Sequence, residues 1–307
     1  MDPRTSSVAV VLLFAIPIVR ESGSASANDE LSRPVETVFP QIPVRPERAP
    51  GGSRVMKLVS AMPAAERETV LLDEIERGRV PEFMRSFVTV EIGGRDADGV
   101  EHKIALKVAP DYLCVGSDSD FVRTPLTPQT AQAIGYAFGC SLPTRLIVDA
   151  IYKQAEVILE PTPLGEPRGA VETFLRHNSI IEQQRARGVT RDHARRDSKK
   201  AENVGHRAGP VPGALVAGIK KDVVITNALR DRPDHVAIYG WHKLDGRPIQ
   251  PLSTVHTATY LDYSHGIRLI ARTILVDGQP YDLWQVLRDP KLSYLLSDEG
   301  PIAQPHY

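Results

Sequence analysis

The chain reads as an α+β domain, with a mainly antiparallel sheet and N-terminal helices packed on it. Three observations lead there. Helical patterns sit in the first half, at Ala64 to Gly78 and Gln129 to Phe138. Two alternating runs, Phe87 to Ile92 and Lys103 to Val108, flank the turn GGRDADG and read as paired strands. After Gly213 the runs ALVAGI, KDVVIT, HVAIYGW, TATYLDY and GIRLIARTILV read as further strands, before short helices between Tyr281 and Leu296.

Each element has a local cause. In AAERETVLLDEIERG, Val70, Leu71 and Ile75 form one stripe and acids the other, which predicts an amphipathic helix. Thr127 caps the next helix, Pro128 takes its first position and Gly139 ends it. A further helix is expected from Ser141 or Leu142, burying Ile147, Val148, Ile151 and Tyr152, so that Cys140 stands just before a helix N-terminus. From Pro161 to Pro212 the chain is polar and irregular, with a helix expected around Val171 to Arg187 and a strongly basic piece, RARGVTRDHARRDSKK, that reads as a solvated insertion.

The N-terminus carries Arg4, an apolar run from Val8 to Val19, and small residues ending Ala25-Ser26-Ala27. That order predicts a signal peptide over residues 1–27 and a secreted or periplasmic protein. The run is too short to span a bilayer, which takes about 20 apolar residues. Residues 28–53 hold five prolines and read as an extended arm or linker. Residues 54–307 then form a single α+β domain. The 42% hydrophobic content supports a core, and a net charge of −1 supplies no field for nucleic acid or a membrane surface.

Candidate chemistry concentrates between Val236 and Ile270, where His242, His256 and His265 accompany Asp262, Ser264 and Trp241. A thiol at a helix start has its thiolate favoured by the helix dipole. Cys140 therefore pairs in principle with a histidine from the later strands, His235, His242, His256 or His265, with Asp262 or His265 as orienter. The residues Asp234-His235-Val236-Ala237-Ile238-Tyr239 after KDVVIT resemble the histidine strand of NlpC/P60-type cysteine peptidases and amidases. That resemblance implies a papain-like core, with Cys140 as nucleophile, His235 as base and His256 in the third position; the family's Asp-Cys-Ser-Gly is here Gly139-Cys140-Ser141-Leu142. The segments GCSLPT, KKDVVI, YGWH, PIQPL and DYSHGIRL are also similar to those of uncharacterised exported bacterial proteins, where the position of His235 need not be histidine, which turns attention to His242 and His256.

Two other chemistries are open. His242, His256, Asp262 and His265 have the residue types of a zinc site with a free position, although a strand over TATYLDY would set His256 and Asp262 roughly 20 Å apart. Cys114 and Cys140 could instead form a disulfide in an exported protein, worth around 3 kcal/mol. Asp262-Tyr263-Ser264-His265-Gly266 lacks the first glycine of a nucleophile elbow and is followed by a strand, so Ser264 is not taken as a nucleophile. Lys220-Lys221-Asp222 reads as an exposed strand start, and Trp241 as core or cleft wall.

The expected function is a secreted hydrolase that cleaves an amide bond in a cell-envelope or other extracellular polymer. Its catalytic set is Cys140, His242, His256, Asp262 and His265, with no cofactor. The alternatives are a metal-dependent hydrolase with zinc, and a non-catalytic wall- or glycan-binding module with a Cys114–Cys140 bridge. No nucleic-acid partner and no stable membrane insertion are expected.

Overall fold

A computed structural model describes residues 39–187 and 213–307, all within one compact unit that begins at Pro34. The expected signal peptide and most of the basic piece lie outside the described residues. The fold is α+β, with six α-helices and mainly antiparallel sheets among those residues.

The main sheet grows around a hairpin. β1 (Val88–Arg95) and β2 (Glu101–Val108) pair antiparallel, Val88 opposite Val108 and Arg95 opposite Glu101. Ile104, Leu106 and Val108 alternate inward on β2, the period-2 signature of a sheet with one buried face. The free edge of β2 takes two later strands, β12 (Ile270–Ala271) and β13 (Thr273–Val276), and then β5 (Cys140–Ser141) on β12 and β14 (Gln279–Asp282) on β13.

The second sheet has the order β10 (Pro248–Ser253), β9 (Ile238–His242), β8 (Lys221–Val223), β11 (His265–Gly266), antiparallel except for the parallel β8–β11 pair. Two small pairs complete the strands: the hairpin β3 (Cys114–Ser117) with β4 (Asp120–Arg123), and the parallel β6 (Val157–Ile158) with β7 (Val216–Ala217).

Helices α1 (Gly52–Val59) and α2 (Ala64–Glu76) precede the sheets, as the N-terminal patterns predict. α3 (Pro128–Phe138) has Thr127 as its N-cap, accepting from Thr130 N–H, and Gly139 at φ 67° closes it in the left-handed conformation. α4 (Arg145–Gln154) packs against both β1 and β9 and so ties the two sheets together. α5 (Val171–Ala186) lies against β4, and the short α6 (Leu283–Arg288) follows β14. Met56, Leu71, Ile75, Phe138, Phe174 and Ile270 belong to one continuous apolar core between these layers.

Four local expectations change. α4 starts at Arg145 rather than Ser141, because Cys140 and Ser141 pair with Ala271 and Ile270 and Pro143 disfavours helical backbone at Leu142. TATYLDY forms turns, with an isolated bridge between Thr257 and His235 that lies outside the strands. GIRLIARTILV is split among β11, β12 and β13. The strand β10 was hidden by Pro248 and Pro251, which an edge strand tolerates because its outer N–H groups need no partner. The described part of the proline-rich segment is laid on the domain: Gln41 N–H donates to Phe138 O, and the Arg45 guanidinium reaches Gly116 O at 2.8 Å.

Candidate functional site

The site is built where β8, β9 and the turn before β11 meet. Asp262 opens that turn as an Asx turn, its Oδ1 accepting from Ser264 N–H and Ser264 Oγ at 2.8 Å each. Its Oδ2 accepts from Arg168 Nη1 at 2.8 Å and from the Tyr260 hydroxyl at 3.5 Å. The carboxylate is only 1% exposed. Burial alone would raise its pKa, but the Ser264 N–H, Arg168 and His265 outweigh it and hold Asp262 down at about 2. Asp262 is therefore ionised, with both oxygens already engaged.

Around this anion the turns bring together side chains that a strand would have separated. His256 stacks on Tyr260 at 4.0 Å between ring centroids, and Tyr260 meets His265 edge-on at 5.9 Å. His265 is buried, and its Nε2 has no hydrogen-bond partner. Burial, only partly opposed by Asp262, pushes its pKa down to about 3, so the ring is neutral at ordinary pH.

Lys221 stands opposite His265 across the β8–β11 pair. Its ammonium lies 4.0 Å from Asp262 Oδ2 and 5.3 Å from the centre of the Trp241 ring. Burial lowers its pKa. Trp241 has φ 52° and follows Gly240 at φ 101°; a non-glycine residue held there costs on the order of 1–3 kcal/mol. The twist carries the Trp241 ring to the Lys221 side, where its Nε1 is buried without a partner.

A layer of buried charge supports this arrangement. Lys220, expected at an exposed strand start, is fully buried, and its ammonium donates to Tyr263 O and lies 3.2 Å from His177 Nδ1. Burial brings Lys220 to about 7 and, with the Lys220 and Arg123 charges, His177 to about 2. His177 rides on α5, which is clamped by Arg123: its guanidinium forms a two-pronged pair with Asp111 at 2.8 and 2.6 Å and reaches Asn178 and Glu182. Gly266 is required beneath the site, since a Cβ there would stand 2.4 Å from Tyr112 and 2.7 Å from Lys220 Cβ.

The other predicted residues lie elsewhere. His242, the next residue after Trp241 on β9, takes the other side of the strand, where its Nε2 meets Asp149 Oδ1 at 2.9 Å and its ring stacks on Tyr152 at 4.6 Å. The Tyr239 hydroxyl donates to the same Asp149 oxygen. His235 engages Asp234 at 2.9 Å. The zinc set is thus not assembled: among the described residues no three His, Cys, Asp or Glu side chains could hold a metal ion.

Cys140 is sealed in β5, its Sγ 3.6 Å from Phe138 O. Burial pushes the thiol well above its ordinary range, whereas a nucleophile requires a lowered one, and no histidine is hydrogen-bonded to it among the described residues. The helix-start placement that a papain-like core requires is absent. Cys114 and Cys140 are both free and buried, so the alternative of a bridge between them is not formed. Ellman's reagent is expected to leave both thiols unmodified in the native protein and to titrate two after unfolding; rapid reaction of a native thiol would contradict this burial.

Sequence reasoning passed over Arg168, Tyr260 and Asp149 and undervalued Lys221. The Asp-x-Ser spacing at Asp262 and Ser264, an Asx-turn signal, could have located the turn. No protein-family model matches this chain, and comparison with curated proteins and with solved structures finds no match. Among the described residues no helix is long and apolar enough to cross a membrane.

Proposed function

We propose that this protein is a hydrolase that cleaves an amide bond in an extracellular or cell-envelope polymer, with Lys221, Asp262 and His265 as the reaction centre in place of Cys140. The observation that carries the reading is the His265 Nε2 atom, buried without a partner on a neutral ring beside an ionised carboxylate. A neutral imidazole nitrogen accepts a proton from a water attacking a carbonyl. Asp262 then stabilises the imidazolium, which returns the proton to the leaving amine as the C–N bond breaks. The low pKa of His265 makes it a weak base in the free protein. Burial is the main cause and Lys221 a lesser one, so an anion paired with Lys221 raises the ring's basicity part of the way.

With muropeptides as substrate, His265→Ala is expected to lower turnover by roughly 10²–10⁴-fold, the range for loss of a general base. Cys140→Ala is expected to stay within about twofold, because the buried thiol takes no part. If instead Cys140→Ala abolished turnover in a folded protein while His265→Ala retained it, the reaction centre would lie elsewhere.

A further inference from the structure

The polar groups around Lys221 differ in what they have left to offer. Both oxygens of Asp262 are occupied by Ser264 and Arg168. The Lys221 ammonium, by contrast, makes no hydrogen bond among the described residues, its nearest anion being Asp262 Oδ2 at 4.0 Å. Trp241 Nε1, which can only donate, is buried without an acceptor, and so is His265 Nε2. The unused capacity is therefore one ammonium, one obligate N–H donor and one imidazole nitrogen. A ligand that carries positive charge would leave the ammonium and the Trp241 N–H unmatched.

Charge points the same way. Arg168 and Lys221 face a single carboxylate, Asp262, with the Lys220 ammonium behind them, so positive charge is in excess around Lys221. Lys221 is about nine-tenths buried, and the aromatic face of Trp241 lies beside it. An ammonium in such surroundings gains more from an incoming anion than an exposed lysine does, because water screens the pair less. The two unused donor groups, the Lys221 ammonium and the Trp241 N–H, match in number the two oxygens of a carboxylate.

Resting on the reaction-centre reading, we propose that this cluster recognises a carboxylate of its ligand, held by Lys221 with the Trp241 N–H, such as the C-terminal carboxylate of a peptide branch in an envelope polymer. Sequence offered only a weak hint of this, a pair of lysines before a strand. Tertiary structure supplies what distinguishes Lys221, a lysine close to a carboxylate that is already saturated by other partners.

The test compares two ligands of nearly equal size that differ in charge, N-acetylglycine and N-acetylglycinamide, titrated calorimetrically into the full-length protein, with inorganic phosphate as a third arm. N-acetylglycine is expected to bind saturably and at least about tenfold more tightly than the amide. Lys221→Gln is expected to abolish that preference, while Asp149→Asn, at the separate His242 cluster, leaves it unchanged. Equal binding of acid and amide, or no binding of either, by the wild-type protein overturns the inference without reliance on any variant. Phosphate binding as tightly as N-acetylglycine overturns the carboxylate class. Acid-selective binding in a protein that turns over no amide removes the hydrolase reading and leaves the carboxylate site standing. Turnover without acid selectivity does the reverse.

Discussion

Acidification from pH 6.5 to 4.5 is expected to remove about 3 kcal/mol of folding stability. Two buried histidines cause it. His177 and His265 have folded pKa values near 2 and 3, against about 6.5 in an unfolded chain. Below pH 6.5 the unfolded chain takes up two protons that the folded chain refuses. Stability then falls by about 1.4 kcal/mol per pH unit for each group. Above pH 6.5 neither state protonates these rings, so the effect vanishes. Asp262 acts in the same direction but lower, since its stabilisation is lost only as pH falls from about 4 toward 2. Lys220, near 7 in the fold, titrates above this window. Asp222, raised by burial to about 6, takes up its proton in the fold within the window and offsets about 2 kcal/mol. For a domain stable by about 5–15 kcal/mol the net loss is a large fraction. Urea midpoints at pH 6.5, 5.5 and 4.5 measure the slope, and His265→Asn should remove most of it. A midpoint that stays level over this range would show that at most one ring is held neutral.

The second large effect lies in the clamp under the site. Arg123→Met is expected to cost about 3–5 kcal/mol, the penalty for stranding a buried partner charge. Asp111, 2% exposed, would lose its two-pronged partner and keep the Arg185 ion pair at 3.6 Å and the more distant Arg268 charge. Because α5 carries both His177 and the Arg123 contacts Asn178 and Glu182, the loss would also loosen the wall behind Lys220. Replacing both members, Asp111→Leu with Arg123→Met, is expected to cost less than the single change, since no unpaired charge remains. Denaturant unfolding of the two variants decides it. If the single variant lost under 1 kcal/mol, the pair would be a surface-like contact despite its burial.

The helices were legible because their causes are local. The Thr127 cap, Pro128, and the stripe of Val70, Leu71 and Ile75 act within one or two turns of chain. The β1–β2 hairpin was legible for the same reason, its alternation and its turn being contiguous. Reading failed where a backbone was claimed by distant partners. Cys140 and Ser141 look like the threshold of a helix, but Ile270 and Ala271 draft them into the main sheet, and the thiol is buried as a result. TATYLDY has the composition of a strand, yet the Asx turn at Asp262 folds its end and brings Tyr260 beside both His256 and His265.

From sequence alone, the α+β class and the segment from Val236 to Ile270 as the richest in reactive side chains could be derived, because composition and periodicity report on local conformation and on which residues a core will accept. Which of those side chains share a site was decided by tertiary structure. Neighbours on one strand face opposite sides, so Trp241 joined Lys221 while His242 went to Asp149. Residues far apart in the chain, Arg168 and Lys221, were brought to Asp262 by sheet pairing and loop packing. Burial, which sets the charge state of His265 and seals Cys140, is a property of the whole fold and has no local signature in the chain.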